Sequence, residues 1–333
     1  GSVVDTLTTD SKGEATSKML PVGTYTVKEV TAPNGYEINV TANTVTVTKG
    51  SIAETTITDE VKKGNVEVSK LDSETGNTPQ GDASFEGISF SLNAAGYDEE
   101  ILTIGSGSNT QKSSTYYAIG TTVKVCEIST NDSYLLNTNC QDVVIKNTGT
   151  NTTNPVSISD DVVKGRIEVV KMIPDGDPTS DVEVPAPNFT FDIYLKSSNT
   201  LVDTITTDKQ GRAISKDLPY GIYTVKEQGD ANGVTWVDGE AYQTLAPFDV
   251  TTSSNDQTIL KIVSNSLKTS MLKVVKLNGD TQVPVKGMTF ELYDDEGNLV
   301  EMEVNYPTHQ VISQFTTSDD GTVELPQKLK WGT

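Results

Sequence analysis

Three lysines hold the same place in three similar stretches. GNVEVSK ends at Lys70, GRIEVVK at Lys171 and MLKVVK at Lys276. Alternate residues of a strand share a face. Lys70 therefore faces the same way as Val66 and Val68, Lys171 as Ile167 and Val169, and Lys276 as Leu272 and Val274. If the aliphatic residues enter a core, the amines enter it too, which is costly unless something compensates them. Eleven residues before each lysine stands Asp59, Asp160 or Asn265. Parity turns these inward as well, Asp59 with Ile57, Asp160 with Ile158 and Asn265 with Val263. A third inward polar residue lies mid-repeat: Glu29 and Glu227, each closing YTVKE, and Glu127, closing VKVCE.

An inward Lys, Glu and Asp or Asn can do one kind of chemistry. Burial lowers a lysine pKa and raises that of a carboxylic acid. A neutral amine is a nucleophile, whereas an ammonium is not. A protonated glutamate can polarise the carbonyl under attack and shuttle protons. The product would be a Lys–Asp or Lys–Asn amide, formed once per domain with loss of water or ammonia. The competing reading is a buried ion pair, which is often neutral for stability. Asn265 stands where the other repeats have Asp, with the spacing unchanged. An ion pair loses its purpose at that substitution; amide formation tolerates it. The expected triads are Lys70, Glu127 and Asp160, then Lys171, Glu227 and Asn265.

The elements that must position these residues are strands. Thr, Val, Gly, Asn and Asp are abundant and aromatic residues few, which favours short strands joined by turns. No window has a sustained helical period. VVDTLTTDSKGEATSKMLPVGTYTVKE (3–29) matches LVDTITTDKQGRAISKDLPYGIYTVKE (201–227), with a weaker copy at 315–333. The three lysines lie 101 and 105 residues apart, so the repeat is one small domain long. The expected map is a partial repeat over 1–62, complete repeats over 64–163 and 165–267, and a second partial repeat over 269–333. Gly332-Thr333 aligns there with Gly23-Thr24. The joining segments are a few residues long and not Gly/Ser-rich, which predicts fairly fixed neighbours.

Composition removes several classes of function. A net charge of -21 argues against nucleic-acid binding, which needs a positive face. No Cys/His cluster fits a metal, and no acidic turn, DDEGN (294–298) included, has calcium-loop spacing. His309, the only histidine, has no partner pattern for nucleophilic catalysis and reads as a surface residue. No cofactor is implied, and a turnover enzyme is not expected. No apolar run is long enough to span a membrane. Cys126 adjoins Glu127 and so faces away from it; with Cys140 it forms either a cross-strand disulfide, in an oxidising compartment, or two ordinary thiols.

VSKLD, LPVGTYTVKEVTAPNGYE and ITDEVKKG resemble the collagen-adhesin B-type (Cna-B) and SpaA-type pilin domains of Gram-positive surface proteins. The resemblance covers nearly the whole chain. It implies tandem immunoglobulin-like or transthyretin-like all-β sandwiches in an elongated array, with self-formed isopeptide bonds. It implies bond-forming Lys70, Lys171 and Lys276, catalytic Glu29, Glu127 and Glu227, and acceptors Asp59, Asp160 and Asn265. It further implies an extracellular segment anchored to the cell wall, its anchor and signal peptide outside this chain. The leading expectation is a stalk segment of a surface adhesin or pilus. Its partners would be neighbouring repeats of the array, with host surface or matrix proteins bound through other regions. The alternative is a host-ligand module using the loop GDANGVTWVDGEAYQ of the third repeat, with Trp236 as anchor.

Overall fold

The computed structural model describes residues 1–149, 152–175 and 181–330. The aligned Gly332-Thr333 pair lies outside the described residues. Among the described residues there is no helix, and so none long and apolar enough to cross a membrane. The fold is all-β, in tandem β-sandwiches.

The chain divides into two compact units. The first comprises Gly1–Leu71, Phe85–Asn131 and Leu136–Asp160; the second comprises Asp72–Ser84, Asp132–Leu135 and the chain from Asp161 on. The first unit holds two four-stranded sheets. In one, Lys63–Asp72 lies between Thr153–Asp160 and Thr110–Lys112, and also pairs with Tyr117–Ala118. In the other the order is Glu100–Thr103, Ser89–Asn93, Thr122–Ser129 and Gln141–Val144. Val66, Val68, Phe90, Leu92, Val123, Val125 and Ile158 are all fully buried. Residues 1–62 add an antiparallel pair, Gly23–Val27 with Asn43–Val47.

The second unit repeats the plan. Lys164–Pro174 is flanked by Arg212–Ile214 and Glu183–Pro185, and runs parallel to Gln257–Ser264 along eight residue pairs. The facing sheet has the order Thr200–Thr206, Thr190–Leu195, Gly221–Glu227 and Phe248–Thr252. Ile167, Val169, Phe191, Ile193, Tyr223 and Val225 form its core. The strand Gln257–Ser264 is only half-buried on its inward face, at Ile259, Lys261 and Val263, while Leu260 and Ile262 are exposed. Residues 269–330 form four short antiparallel pairs over a small core of Met302, Phe315 and Leu325.

The duplication read in the sequence reappears as duplicated contacts. Tyr25 donates its hydroxyl to Pro21 O at 2.9 Å, and Tyr223 to Pro219 O at 2.8 Å. The Lys18 and Lys216 amides donate to Asp5 and Asp203. Two glycines are required by close approach. A Cβ on Gly211 (φ +69) or Gly321 (φ +71) would lie 2.6 Å from the carbonyl oxygen of Lys171 or Lys276. The Lys171 and Lys276 amides donate back to those glycines at 2.7 Å each.

The segment 229–243 is not the loop expected. It forms an antiparallel hairpin, Val234–Val237 with Glu240–Gln243. Its two-residue turn, Asp238-Gly239, has φ of 50° and 85°. Asp-Gly is the sequence signature of a turn whose twist matches paired strands, so the hairpin was legible.

Phe191 sits at the centre of the third repeat's core, directly opposite Glu227 in the ladder. Phe191→Ala should cost about 3–5 kcal/mol, read as a lower urea midpoint for that sandwich. An unchanged midpoint would mean that the core does not close over this ring.

Candidate functional site

In each complete repeat, strand pairing brings three polar side chains to one buried point. Lys70 follows Val66 and Val68 on the inner face of Lys63–Asp72; all three are fully buried. Asp160 ends the neighbouring strand and is 2 % exposed. Glu127 comes from the facing sheet, opposite Phe90, and is 5 % exposed. Just past Glu127 the ladder shifts register, Phe90 facing Glu127 and Ser89 facing Ser129. Lys70 Nζ is in contact with Asp160 Oδ1, lies 3.1 Å from Glu127 Oε2, and donates to Ile158 O at 3.4 Å.

The third repeat builds the same arrangement from Lys171, Glu227 and Asn265, at 0 %, 7 % and 3 % exposure. The parallel ladder sets Lys171 beside Val263, and the Asn265 amide donates to Met172 O. Glu227 comes from the facing sheet opposite Phe191, as Glu127 does opposite Phe90. Lys171 Nζ lies 3.5 Å from Glu227 Oε2 and 4.8 Å from the centroid of the Phe189 ring. Asn265 Nδ2 donates to Glu227 Oε1 at 2.6 Å, and Thr235 Oγ1 donates to the same oxygen at 2.7 Å. Lys171 Nζ and Asn265 Oδ1 are buried without a hydrogen-bond partner. A half-turn of the Asn265 amide would exchange its two ends and present the carbonyl oxygen to Glu227.

Burial shifts ionisation in the directions that favour reaction. It pushes the Glu127 carboxyl up to about 7, with a hydrogen bond to Asp160 acting in the same sense and the charge of Lys70 opposing. It pulls Lys171 down to about 8, opposed by Glu227. Near neutrality, Glu127 is partly protonated and Lys171 is more often neutral than an ordinary lysine.

Residues 1–62 and 269–330 hold incomplete sets. Glu29 and Asp59 are half-buried and hydrogen-bonded to each other; burial and Glu29 together raise the Asp59 pKa. Lys276 is half-buried, not enclosed like Lys70 and Lys171, because residues 269–330 build only a small core. No carboxylate lies within ion-pair distance of it among the described residues. Cys126 and Cys140 form a disulfide on the outward side of the Glu127 strand. Trp236 is half-exposed on the hairpin, where it hydrogen-bonds Asp230. His309 is exposed, 3.7 Å from Glu303.

Sequence reading missed three contributors. Thr235 and the Phe189 ring were not singled out, and neither was Tyr242. Tyr36, Tyr134 and Tyr242 make equivalent bridges to Val61, Val162 and Leu267, the residues that lead into the next repeat. Tyr36 and Tyr134 each follow their glutamate by seven residues, but the hairpin displaces Tyr242 to fifteen. A search anchored on the repeat's end instead of the glutamate would have found it.

Residues 1–61 and 179–262 match the family described as SpaA, prealbumin-like fold domain. These segments contain Glu29, Asp59 and Glu227, and they carry the resemblance seen in LPVGTYTVKE. No curated protein matches the chain. Among solved structures, the Bacillus anthracis TIE protein aligns over 89 % of this chain and 48 % of its own, at 20 % identity and a TM-score of 0.47. The chain thus spans about half the length of that protein. BcpA, the major pilin subunit of Bacillus cereus, aligns over 78 % of this chain and 89 % of its own, at 16 % identity and a TM-score of 0.30. GBS52, the minor pilin of Streptococcus agalactiae, aligns over 61 % and 95 %, at 12 % identity and a TM-score of 0.27.

Replacing Lys70 by methionine leaves two buried carboxyl groups facing each other. Breaking a buried pair in this way should destabilise the first unit by about 3–5 kcal/mol at neutral pH. Without the ammonium, the Glu127 pKa rises further above its unfolded value. A carboxyl raised in the folded state gives stability that is present at low pH and lost as pH rises through the folded value. The urea midpoint of Lys70→Met should therefore be lower at pH 8 than at pH 5. A midpoint that rises with pH over this range would contradict the placement.

Proposed function

We propose that this chain is a structural stalk segment of a cell-wall-associated Gram-positive surface adhesin or pilus, stabilised by self-formed isopeptide bonds. It consists of partial repeats at 1–62 and 269–333 and complete domains at 64–163 and 165–267. The observation that carries the reading is the twice-built constellation of fully buried lysine, buried glutamate and buried Asp or Asn. The residues come from the first, middle and last strands of a domain. Two different acceptors in one geometry favour an amide over an ion pair.

In the second repeat, neutral Lys70 Nζ attacks Asp160 Cγ. The Cγ–O bond of the protonated acid breaks, and the hydroxyl leaves as water with a proton from the amine. In the third repeat, Lys171 Nζ attacks Asn265 Cγ, the Cγ–Nδ2 bond breaks, and ammonia leaves. Glu127 or Glu227, as the acid, hydrogen-bonds the carbonyl oxygen and carries the proton from the amine to the leaving group. Each bond forms once, so the chain has no turnover. Two costly buried polar groups become one neutral amide.

The product ties a domain's first strand to its last, where tension enters and leaves it. Lys70 and Asp160 are 90 residues apart. By analogy with a disulfide, closing such a loop contributes about 4–5 kcal/mol if free of strain. Under load it also replaces strand-to-strand hydrogen bonds with a covalent link. The Cys126–Cys140 disulfide suits the extracellular side of the cell, where disulfides persist.

Mass spectrometry of the denatured, reduced chain should show the loss of one water and one ammonia from the summed sequence mass. Peptide mapping should place them at Lys70–Asp160 and Lys171–Asn265. Glu127→Ala should abolish the water loss and Glu227→Ala the ammonia loss. An unshifted wild-type mass would defeat the isopeptide reading.

A further inference from the structure

The glutamate is the one member of each constellation supplied by the facing sheet, so it must be held over the lysine from its own strand. Three glutamates are held in three ways. Glu29 Oε2 accepts the Asn39 amide at 2.6 Å. Glu227 Oε1 accepts the Thr235 hydroxyl at 2.7 Å. Thr235 is 5 % exposed, with its Oγ1 also 3.1 Å from Gln228 O and 3.0 Å from Thr244 Oγ1, so this hydroxyl is fixed. Among the described residues, neither oxygen of Glu127 accepts a hydrogen bond from a hydroxyl or a backbone amide.

The second repeat has a covalent device instead. The ladder between Thr122–Ser129 and Gln141–Val144 ends at the pair Val125 and Gln141. The Cys126–Cys140 disulfide adds one pair to it, with Cα atoms 4.3 Å apart, immediately before Glu127. In the third repeat the matching ladder ends at Val225 and Phe248. The next positions there are Lys226 and Pro247, which cannot be cross-linked, and proline brings no N–H to extend the pairing. The repeat without the hydroxyl has the disulfide, and the repeat without the disulfide has the hydroxyl.

We propose that the Cys126–Cys140 disulfide and the Thr235 hydroxyl are alternative positioning devices for the catalytic glutamate, so that bond formation in the second repeat depends on oxidation and in the third does not. The inference rests on the isopeptide reading above. Its physical basis is the steep dependence of reaction on placement: an error of about 1 Å can cost on the order of 100-fold in rate. Glu127 is paired to Phe90 on one side of its strand, but on the other side the ladder ends at Val125 and Gln141, so at this level only the disulfide ties that side. Oxidation outside the cell would then license the covalent locking of the second repeat.

The test uses the full chain made by cell-free synthesis, so that both bonds form during the experiment. Intact mass is followed in time, with peptide mapping to assign each bond. Reductant, or Cys126→Ser with Cys140→Ser, should slow the water-losing Lys70–Asp160 reaction on the order of 10- to 100-fold and leave the ammonia-losing reaction unchanged. Thr235→Val should do the converse and Thr235→Ser should restore the rate. A water-loss rate indifferent to reduction, equal slowing of both bonds, or a serine variant as slow as the valine one would overturn the inference while leaving the isopeptide reading intact. A wild-type chain in which neither bond forms would overturn both.

Discussion

A lysine amine sealed between two sheets is the constraint on which the rest of each domain depends. Lys70 and Lys171 have no exposed surface at all, so water cannot satisfy them. An isolated ammonium there would cost several kcal/mol even after relaxation. The fold meets this demand from two directions. The last strand lies beside the first and delivers Asp160 or Asn265, and the facing sheet delivers Glu127 or Glu227. Other strand orders would bury the same hydrophobic residues. This one also brings the three polar side chains to a single point, so the site and the topology have one cause.

Much of this was legible because a strand's period is two and does not drift. Parity alone placed Lys70 with Val66 and Val68, and Asp160 with Ile158. All five are buried on one side of one sheet. Repetition supplied the long-range information, since residues at equal offsets in successive copies must occupy equal places. What escaped the reading lay where the copies differ. The hairpin after Glu227 broke the spacing that would have revealed Tyr242, and reading the insertion as one loop passed over the Asp-Gly turn that closes it. Thr235 lies inside that same insertion. Its partner in the second repeat is not a residue type at a matching position but a disulfide elsewhere on the strand. No alignment of two copies can display an equivalence of that kind, because only the effect on the glutamate is shared.

The degree of enclosure separates Lys70, Lys171 and their partners from Glu29, Asp59 and Lys276. Asp59, Glu29 and Lys276 have the right types and spacings, yet all three are only half-buried. The Glu29–Asp59 pair retains a raised Asp59 pKa, from burial first and then from the neighbouring Glu29 carboxyl. Sequence position therefore specifies which residues would meet, while the closing of both sheets supplies the low dielectric in which meeting has chemical consequences.

The two complete sites are not copies in their electrostatics. In the second repeat, two acids face one amine, and burial acts most visibly on Glu127. In the third, a neutral amide replaces one acid, and burial acts most visibly on Lys171. Where two carboxyls are present, burial first and then the hydrogen-bonded Asp160 raise the Glu127 pKa. Where only one remains, the lysine has less negative charge to hold its own proton, and desolvation can lower its pKa. Exchanging Asp160 for Asn265 at the same place in the site thus goes with a shift of burial's visible effect from the glutamate to the lysine.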